Sequence, residues 1–335
     1  NISYLIRGDV FAIDSTIIET KPDYPGSGKT KRENDDGSYE TIYGFKLFAL
    51  YEVKSRIVVA IKIVPVNESE ITHFLPVIEQ GIQNCGDSKI KVIIADRGYL
   101  SGEHLYILKN DKGIDFVVPS KLSMIVREDA IKVIKSLKKR TIGEWEYGKG
   151  KCKGYGVDGL LSFLTYNPPK TKDNKKTNGT AINAVVVTHW KDKDVPEEDQ
   201  IVLLTSLPAE KNPAKIAKTY RLRSYIENCG FRELKQAAFL KYLPRRKGKN
   251  VENAAYIHMI LCVFAHTLFY AFMGWRRVSY PKDSNEKCLR SWRREQQLSS
   301  NNKTLFVVEE KYYAFLSTNE ILDIFQVKQK VRLNC

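Results

Sequence analysis

Apolar and polar residues alternate over Asp9 to Glu19 (DVFAIDSTIIE), a run rich in β-branched side chains, and this predicts a strand. Thr41 to Val53 and Ile57 to Pro65 predict two more, joined as an antiparallel meander. Pro22 to Gly37, between the first two, is rich in Gly, Asp and Lys and reads as a mobile loop. Glu68 to Gln83 has helical periodicity. Lys91 to Asp96 (KVIIAD) is the short apolar run expected of a buried central strand. Ser101 to Lys109 opens a helix with Ser101 as N-cap and Glu103 close behind. Asp115 to Pro119 is a last short strand. The order β-β-β-α-β-α-β predicts an α/β core on a mixed sheet with flanking helices.

The texture changes at about Leu122. As far as Leu207 the chain is Gly- and Lys-rich, with strand-like runs at Gly143 to Tyr147, Gly159 to Tyr166, Ala184 to Trp190 and Ile201 to Leu207, and one flexible loop from Pro168 to Thr180. Helix resumes after Pro213, which suits a first-turn position, and runs through Lys235. A second, apolar helix spans Glu252 to Phe272. The expected organisation is therefore a core begun by residues 1–121, a β-rich insertion at 122–207, a return to the core at 208–275 and a basic tail at 276–335. Ala254 to Trp275 is long enough to cross a bilayer. It carries His258 and His266 and stands alone in a polar chain, so it reads as a buried core helix, and no membrane partner is expected.

Charge narrows the function. The 335 residues include 54 Lys and Arg against 39 Asp and Glu, a net +15, which favours a polyanionic partner over a small metabolite. The excess is concentrated: residues 211–250 hold twelve basic side chains and two acidic ones, Glu227 and Glu233. Such a cluster neutralises phosphates and makes binding strongly salt-dependent. None of the six cysteines forms a C-x-x-C and the five histidines do not cluster, which argues against a disulfide framework or zinc site. A reducing cytosol, without a signal peptide, is the expected setting.

Two aspartates close predicted strands: Asp14 in Ala12-Ile13-Asp14-Ser15-Thr16, and Asp96 in Ile94-Ala95-Asp96-Arg97-Gly98-Tyr99. Strand ends are where ligands bind in open α/β sheets. Neighbouring carboxylates repel, hard divalent cations relieve the repulsion, and paired ions about 3.5–4 Å apart serve in-line phosphoryl transfer. A strand-end Asp equally suits a turn or cap. On one straight helix, at 100° per residue, Arg223, Glu227 and Lys235 lie about −60°, −20° and +60° from Tyr220, so all four share an arc of roughly 120°. An aromatic, two cations and a carboxylate suit a metal ligand flanked by phosphate-binding groups. The alternative is a solvated face with Arg223–Glu227 as an ordinary i,i+4 pair.

Tyr220-x2-Arg223-x3-Glu227, followed by Phe231-Arg232-Glu233-Leu234-Lys235-Gln236, resembles the Y-R-E-K signature of bacterial DDE transposases of the insertion sequence 4 family. Asp14-Ser15-Thr16 resembles the first-aspartate motif, Gly44-Phe45-Lys46-Leu47 the strand that follows it, and Ala95-Asp96-Arg97-Gly98-Tyr99 the second-aspartate motif. The motifs keep the family's order from about Val10 to Phe272. One departure stands out: the usual signature has six residues between Glu and Lys, and here there are seven, Asn228 to Leu234.

The resemblance implies a ribonuclease-H-like core with a β-strand insertion. It implies that Asp14, Asp96 and Glu227 hold two Mg²⁺ (or Mn²⁺) ions, one activating water or later a DNA 3′-hydroxyl and one stabilising the leaving 3′-oxygen. End cleavage and strand transfer then need no covalent protein–DNA intermediate. It implies that Tyr220, Arg223 and Lys235 grip double-stranded DNA near the cleaved end, as a dimer on DNA in a bacterial, nucleoid-associated cytoplasmic setting. Arg97 and Lys46, beside the carboxylates, are DNA-binding candidates or structural ion-pair partners. Arg232, Arg245, Arg246 and Lys247 extend the basic track. Trp190, Trp145 and Tyr147 are candidates for stacking a flipped base, against the commoner reading of buried β-domain aromatics. Ser15 reads as a hydrogen-bonding neighbour, since no G-x-S-x-G is present. Two other functions fit the same residues: a transposase-derived DNA-binding protein without catalysis, and a metal-dependent nuclease that cuts without joining.

Overall fold

A computed structural model describes residues 2–34, 36–86, 88–136, 142–169, 179–244, 248–279, 303–308 and 312–317. The first alternating run forms β1 (Val10–Thr20). β2 (Gly28–Glu33) follows, then β3 (Tyr39–Glu52) and β4 (Ile57–Pro65). β2 lies inside the stretch expected to be a mobile loop. Its sequence, GKTKRE, has no apolar residue, yet its backbone pairs with β3 from Gly28 opposite Gly44 to Glu33 opposite Tyr39. α1 (Glu70–Cys85), β5 (Val92–Ile94), α2 (Gly102–Asn110) and β6 (Asp115–Pro119) complete the first part. Ser101 caps α2, its hydroxyl accepting from the His104 amide.

β1 and β3 are antiparallel, as are β3 and β4, whereas β1, β5 and β6 run parallel. The order β4-β3-β1-β5-β6 is an open mixed sheet with helices against it, a ribonuclease-H-like α/β fold. Its centre is dry: Phe11, Ile13, Phe48, Ile93 and Phe116 have no exposed surface, and each contributes about 1.5–3 kcal/mol by leaving water.

The insertion holds a helix the sequence reading missed, α3 (Ile125–Ser136), then β7 (Ile142–Tyr147), β8 (Gly150–Leu160), β9 (Ile182–Trp190), β10 (Lys193–Asp194) and β11 (Ile201–Thr205). Of the strand expected over Gly159 to Tyr166, only the first two residues are extended, as the end of β8. These strands extend the core sheet: β11 pairs with β6 from Leu203 opposite Pro119, and β9, β8 and β7 follow outward. Residues 170–178, most of the loop expected from Pro168 to Thr180, lie outside the described residues.

The helix after Pro213 is not continuous. α4 (Pro213–Arg221) is capped by Asn212 and ends in a turn at Leu222 and Arg223. A π-helix follows over Ile226–Phe231, then α5 (Arg232–Gln236) and α6 (Val251–Ser279). α6 is long and apolar enough to cross a membrane by length and composition. It is only half a core helix: Met259, Val263, His266 and Phe269 are buried, while Ile257, Ile260, Leu261, Phe264 and Leu268 are exposed. Residues 1–279 form one compact unit. In the second, residues 280–335, the described part is an antiparallel pair, β12 (Lys303–Val308) and β13 (Tyr312–Ser317).

Candidate active site

Strand register brings the two aspartates together. β1 pairs in parallel with β5, with Ala12 opposite Ile94. Asp14 and Asp96 each lie two residues past that pair, so the register places them side by side on one face; Asp96 lies just past the end of β5, but Asp14 stands within β1, fifth of its eleven residues, and not at a strand end as expected. That face carries the apolar cluster containing Ala12, Ile94, Ile226 and Leu234, so it looks toward the Glu227 segment. The Asp14 side chain is 11% exposed and accepts from the Ser15 amide at 2.8 Å; Asp96 accepts from the Gly98 amide at 2.7 Å.

Arg223 joins the set. Its Nη1 donates to Asp14 Oδ2 at 2.9 Å and to Glu227 Oε1 at 2.8 Å. The i,i+4 pair read from the sequence therefore exists, but Arg223 also reaches Asp14, 209 positions away, and so bridges the two carboxylates. Burial raises the Asp14 pKa from 3.8 to about 7; the Ser15 amide and Arg223 oppose the rise, and the charges of Asp96 and Glu227 add to it. Burial lowers the Arg223 pKa, but Tyr220, Asp14 and Glu227 outweigh it and the net direction is up. The Tyr220 hydroxyl is pushed up by burial, with Arg223 opposing, and it also feels Asp96 and Arg97.

The stretch that separates Glu227 from Lys235 begins as a π-helix. A π turn takes one more residue than an α turn, and such bulges cluster at functional sites. Glu227 is its second residue, and the extra turn length is spent before Lys235 in α5. Glu227 and Lys235 then line one cavity of about 430 Å³ with Asp14, Ser15, Thr16, Phe231, Arg232 and Gln236. Arg223 pairs with Glu227 and interacts with Tyr220, and Glu227 shares the cavity with Lys235, along a broken helix rather than the straight one assumed from the sequence. Burial lowers the Lys235 pKa, Glu19 raises it and Arg32 lowers it further.

The remaining candidates fall in different places. Arg97 is exposed beside Tyr220. Lys46 donates to the Glu68 carbonyl at 2.9 Å, a structural contact ahead of α1. Trp145 is 4% exposed, within the core, so it offers no open face to a base. Tyr147 and Trp190 are half-buried and pack on each other at 4.6 Å, with the Arg221 guanidinium 3.7 Å over the Tyr147 ring. Arg245, Arg246 and Lys247 lie outside the described residues.

Sequence reading missed Glu70, in the first turn of α1. It accepts from Ser15 Oγ at 2.6 Å, directly beside Asp14. Its sequence signal was only an acid at a helix start.

The donors fit a hard divalent cation in kind: three carboxylates, of which Asp14 has its pKa raised to about 7 chiefly by burial, with the charges of Asp96 and Glu227 adding to the rise. Among the described residues no group of three or more His, Cys, Asp or Glu side chains is gathered tightly enough to hold a metal ion. The Arg223 guanidinium supplies the positive charge between Asp14 and Glu227.

The sheet is open, mixed and ribonuclease-H-like, and Asp14 of β1 and Asp96 after β5 lie on the face that the Glu227 segment covers. The family model described as "Transposase DDE domain" matches residues 6–264, and the chain belongs to that family. Among solved structures it is similar to a piggyBac transposase in a synaptic complex with hairpin DNA, at 12% identity and a TM-score of 0.48, over 88% of this chain and 53% of that one. The chain thus spans about half the length of that transposase. No curated protein matches the sequence.

Proposed function

We propose that this chain is a DNA transposase of the insertion sequence 4 type, cleaving transposon ends and joining them to target DNA. The observation that carries this reading is that Arg223 joins Asp14 to Glu227 while the β1–β5 register carries Asp96 beside Asp14, in a DDE-domain chain. Mg²⁺ or Mn²⁺, two ions per site, supplies the charge that activates the attacking oxygen and stabilises the leaving one. Asp14, Asp96 and Glu227 are the residues that would hold it. Arg223 bridges Asp14 and Glu227 and would be free to pair with a backbone phosphate if a cation took its place between them. Lys235 and Arg232, in the cavity wall beside Glu227, bind phosphate oxygens, and Tyr220 orients Arg223.

The basic residues of 211–250 form the DNA track, and two copies act together on paired ends in the bacterial cytoplasm. The domain assignment that goes with this reading makes residues 122–207 the insertion and 276–335 a basic tail. Tyr147 and Trp190 lie at the end of the sheet that the insertion extends, where an unpaired base could replace their mutual stacking.

The test is Mg²⁺-dependent cleavage of the DNA flanking the gene. Wild type cuts at the element ends, and Asp96→Ala, still folded and still binding DNA, does not. Retained cleavage by that variant would sink the assignment. A pre-cleaved end then separates a transposase, which joins it to target DNA, from a nuclease, which does not.

A further inference from the structure

Asp14 and Ser15 are consecutive in β1, so their side chains point to opposite faces of the sheet. Asp14 faces Arg223. Ser15 faces α1, as does Phe48, its partner in β3, whose ring lies 5.0 Å from His73 of that helix. Glu70 therefore approaches from behind. One of its oxygens, Oε1, holds Ser15 Oγ at 2.6 Å. The other, Oε2, lies against Gly98: a Cβ there would sit 2.2 Å from Glu70 Oε2 and 2.9 Å from Asp96 Oδ1. Gly98 in turn donates its amide to that same Asp96 oxygen. One carboxylate thus reaches both the strand bearing Asp14 and the turn that orients Asp96. The buried Tyr99 hydroxyl marks the common point: burial raises its pKa, and the charges of Glu70, Asp14 and Asp96 follow as causes.

We propose that Glu70 is a positioning residue that sets the spacing of Asp14 and Asp96 from the back of the sheet, through Ser15 on one side and the Gly98 turn on the other. It does not touch the reacting atoms. An acid in a first helical turn is favourable in any protein, but that alone does not engage each oxygen with a different catalytic strand. Glycine at 98 belongs to the same device, because a side chain there would displace either carboxylate. The inference rests on the proposed transposase reading for its meaning and on the Glu70 contacts for its geometry.

The experiment measures Mn²⁺ affinity by calorimetry and single-turnover cleavage for wild type, Glu70→Ala, Glu70→Gln, Ser15→Ala and the Glu70→Ala/Ser15→Ala double variant. Outer-sphere partners of metal ligands typically matter by about 10–100-fold. Glu70→Ala should lose at least about tenfold in both readouts while metal-free DNA affinity stays within about twofold. Glu70→Gln keeps the acceptor for Ser15 and should recover most of both. Ser15→Ala removes one of the two contacts and should lose part of what Glu70→Ala loses, with the double variant no worse than Glu70→Ala, since Ser15 acts only through Glu70. Ser15→Ala leaves α1 intact, so it decides the matter if Glu70→Ala fails to fold. Wild-type Mn²⁺ affinity and rate in Glu70→Ala, or a Glu70→Gln as impaired as Glu70→Ala, would overturn the proposal. If wild type binds Mn²⁺ but cuts no DNA, the transposase reading fails, and the Mn²⁺ ranking still decides the role of Glu70. Absence of Mn²⁺ binding by wild type overturns both.

Discussion

Replacing Asp14 by Asn should make the metal-free protein more stable. The Asp14 pKa stands at about 7 in the fold against 3.8 as the ordinary value, so the native state binds this proton more tightly than the unfolded chain. The sign follows: below pH 3.8 both states are protonated and Asp14 costs nothing. As pH rises through the window from 3.8 to about 7 the unfolded state releases its proton first, and stability falls. Above pH 7 the loss is constant. A shift of about three units, at 1.36 kcal/mol each, sets the ceiling near 4 kcal/mol, and relaxation around a side chain that is 11% exposed should leave about 1–3. Asn is close to Asp in shape, but its single oxygen can serve only the Ser15 amide or Arg223, which Asp14 meets with separate oxygens, so the gain lies toward the lower end of that range. The assay is urea unfolding in EDTA at pH 4, 6 and 8, comparing the two proteins. The stabilisation should grow from near zero at pH 4 to its full value at pH 8. Adding Mg²⁺ at pH 8 should stabilise wild type and not the variant, by ordinary binding linkage. An Asp14→Asn protein that is less stable than wild type at pH 8, or a difference that does not change with pH, would refute the argument.

Arg223→Ala should cost about 2 kcal/mol at pH 8, because it strips the shared cation from two carboxylates. Urea midpoints should show the loss shrinking toward pH 5, where Asp14 is protonated. Lys235→Ala should weaken DNA binding without regard to sequence and lower the slope of log K against log salt by about one, measured by fluorescence anisotropy at several salt concentrations. Tyr270→Phe removes the hydroxyl that donates to the buried Glu233 carboxylate at 2.6 Å, and should cost about 1–3 kcal/mol in urea unfolding with cleavage chemistry intact.

The elements that carry the aspartates were legible because their burial repeats locally. β1 and β3 are apolar, β-branched or aromatic runs buried along most of their length, and β4 and β6 match their expected bounds. β2 was not legible, since an exposed edge strand of Gly, Lys, Thr, Arg and Glu has no face to bury and is held by backbone pairing to β3. α3 was lost because its period lay in a stretch taken as β-rich, although Val126, Ala130, Ile131 and Ile134 bury one side. The motifs for Asp14, Asp96, Arg223 and Glu227 were readable in order, whereas Glu70 was not: its partners, Ser15 and Gly98, are 55 and 28 positions away in the chain, and only strand register and helix packing bring them near.

By itself, then, the sequence determined what recurs locally: the strands and helices with strong periods, the concentration of positive charge around Glu227, and the place of Asp96 just past a buried strand. The tertiary structure decided everything set by non-local register. It joined the insertion to the core sheet through β11 and β6, and it set Asp14 beside Asp96 through the parallel pairing of β1 with β5. It also broke the helix at Arg223 and inserted a π turn, which brings Lys235 to the cavity despite the extra residue. The physical reason is common to all three. A helical or strand period costs only the local backbone, but a pairing between distant segments is selected by the whole core, and no window of sequence contains that sum.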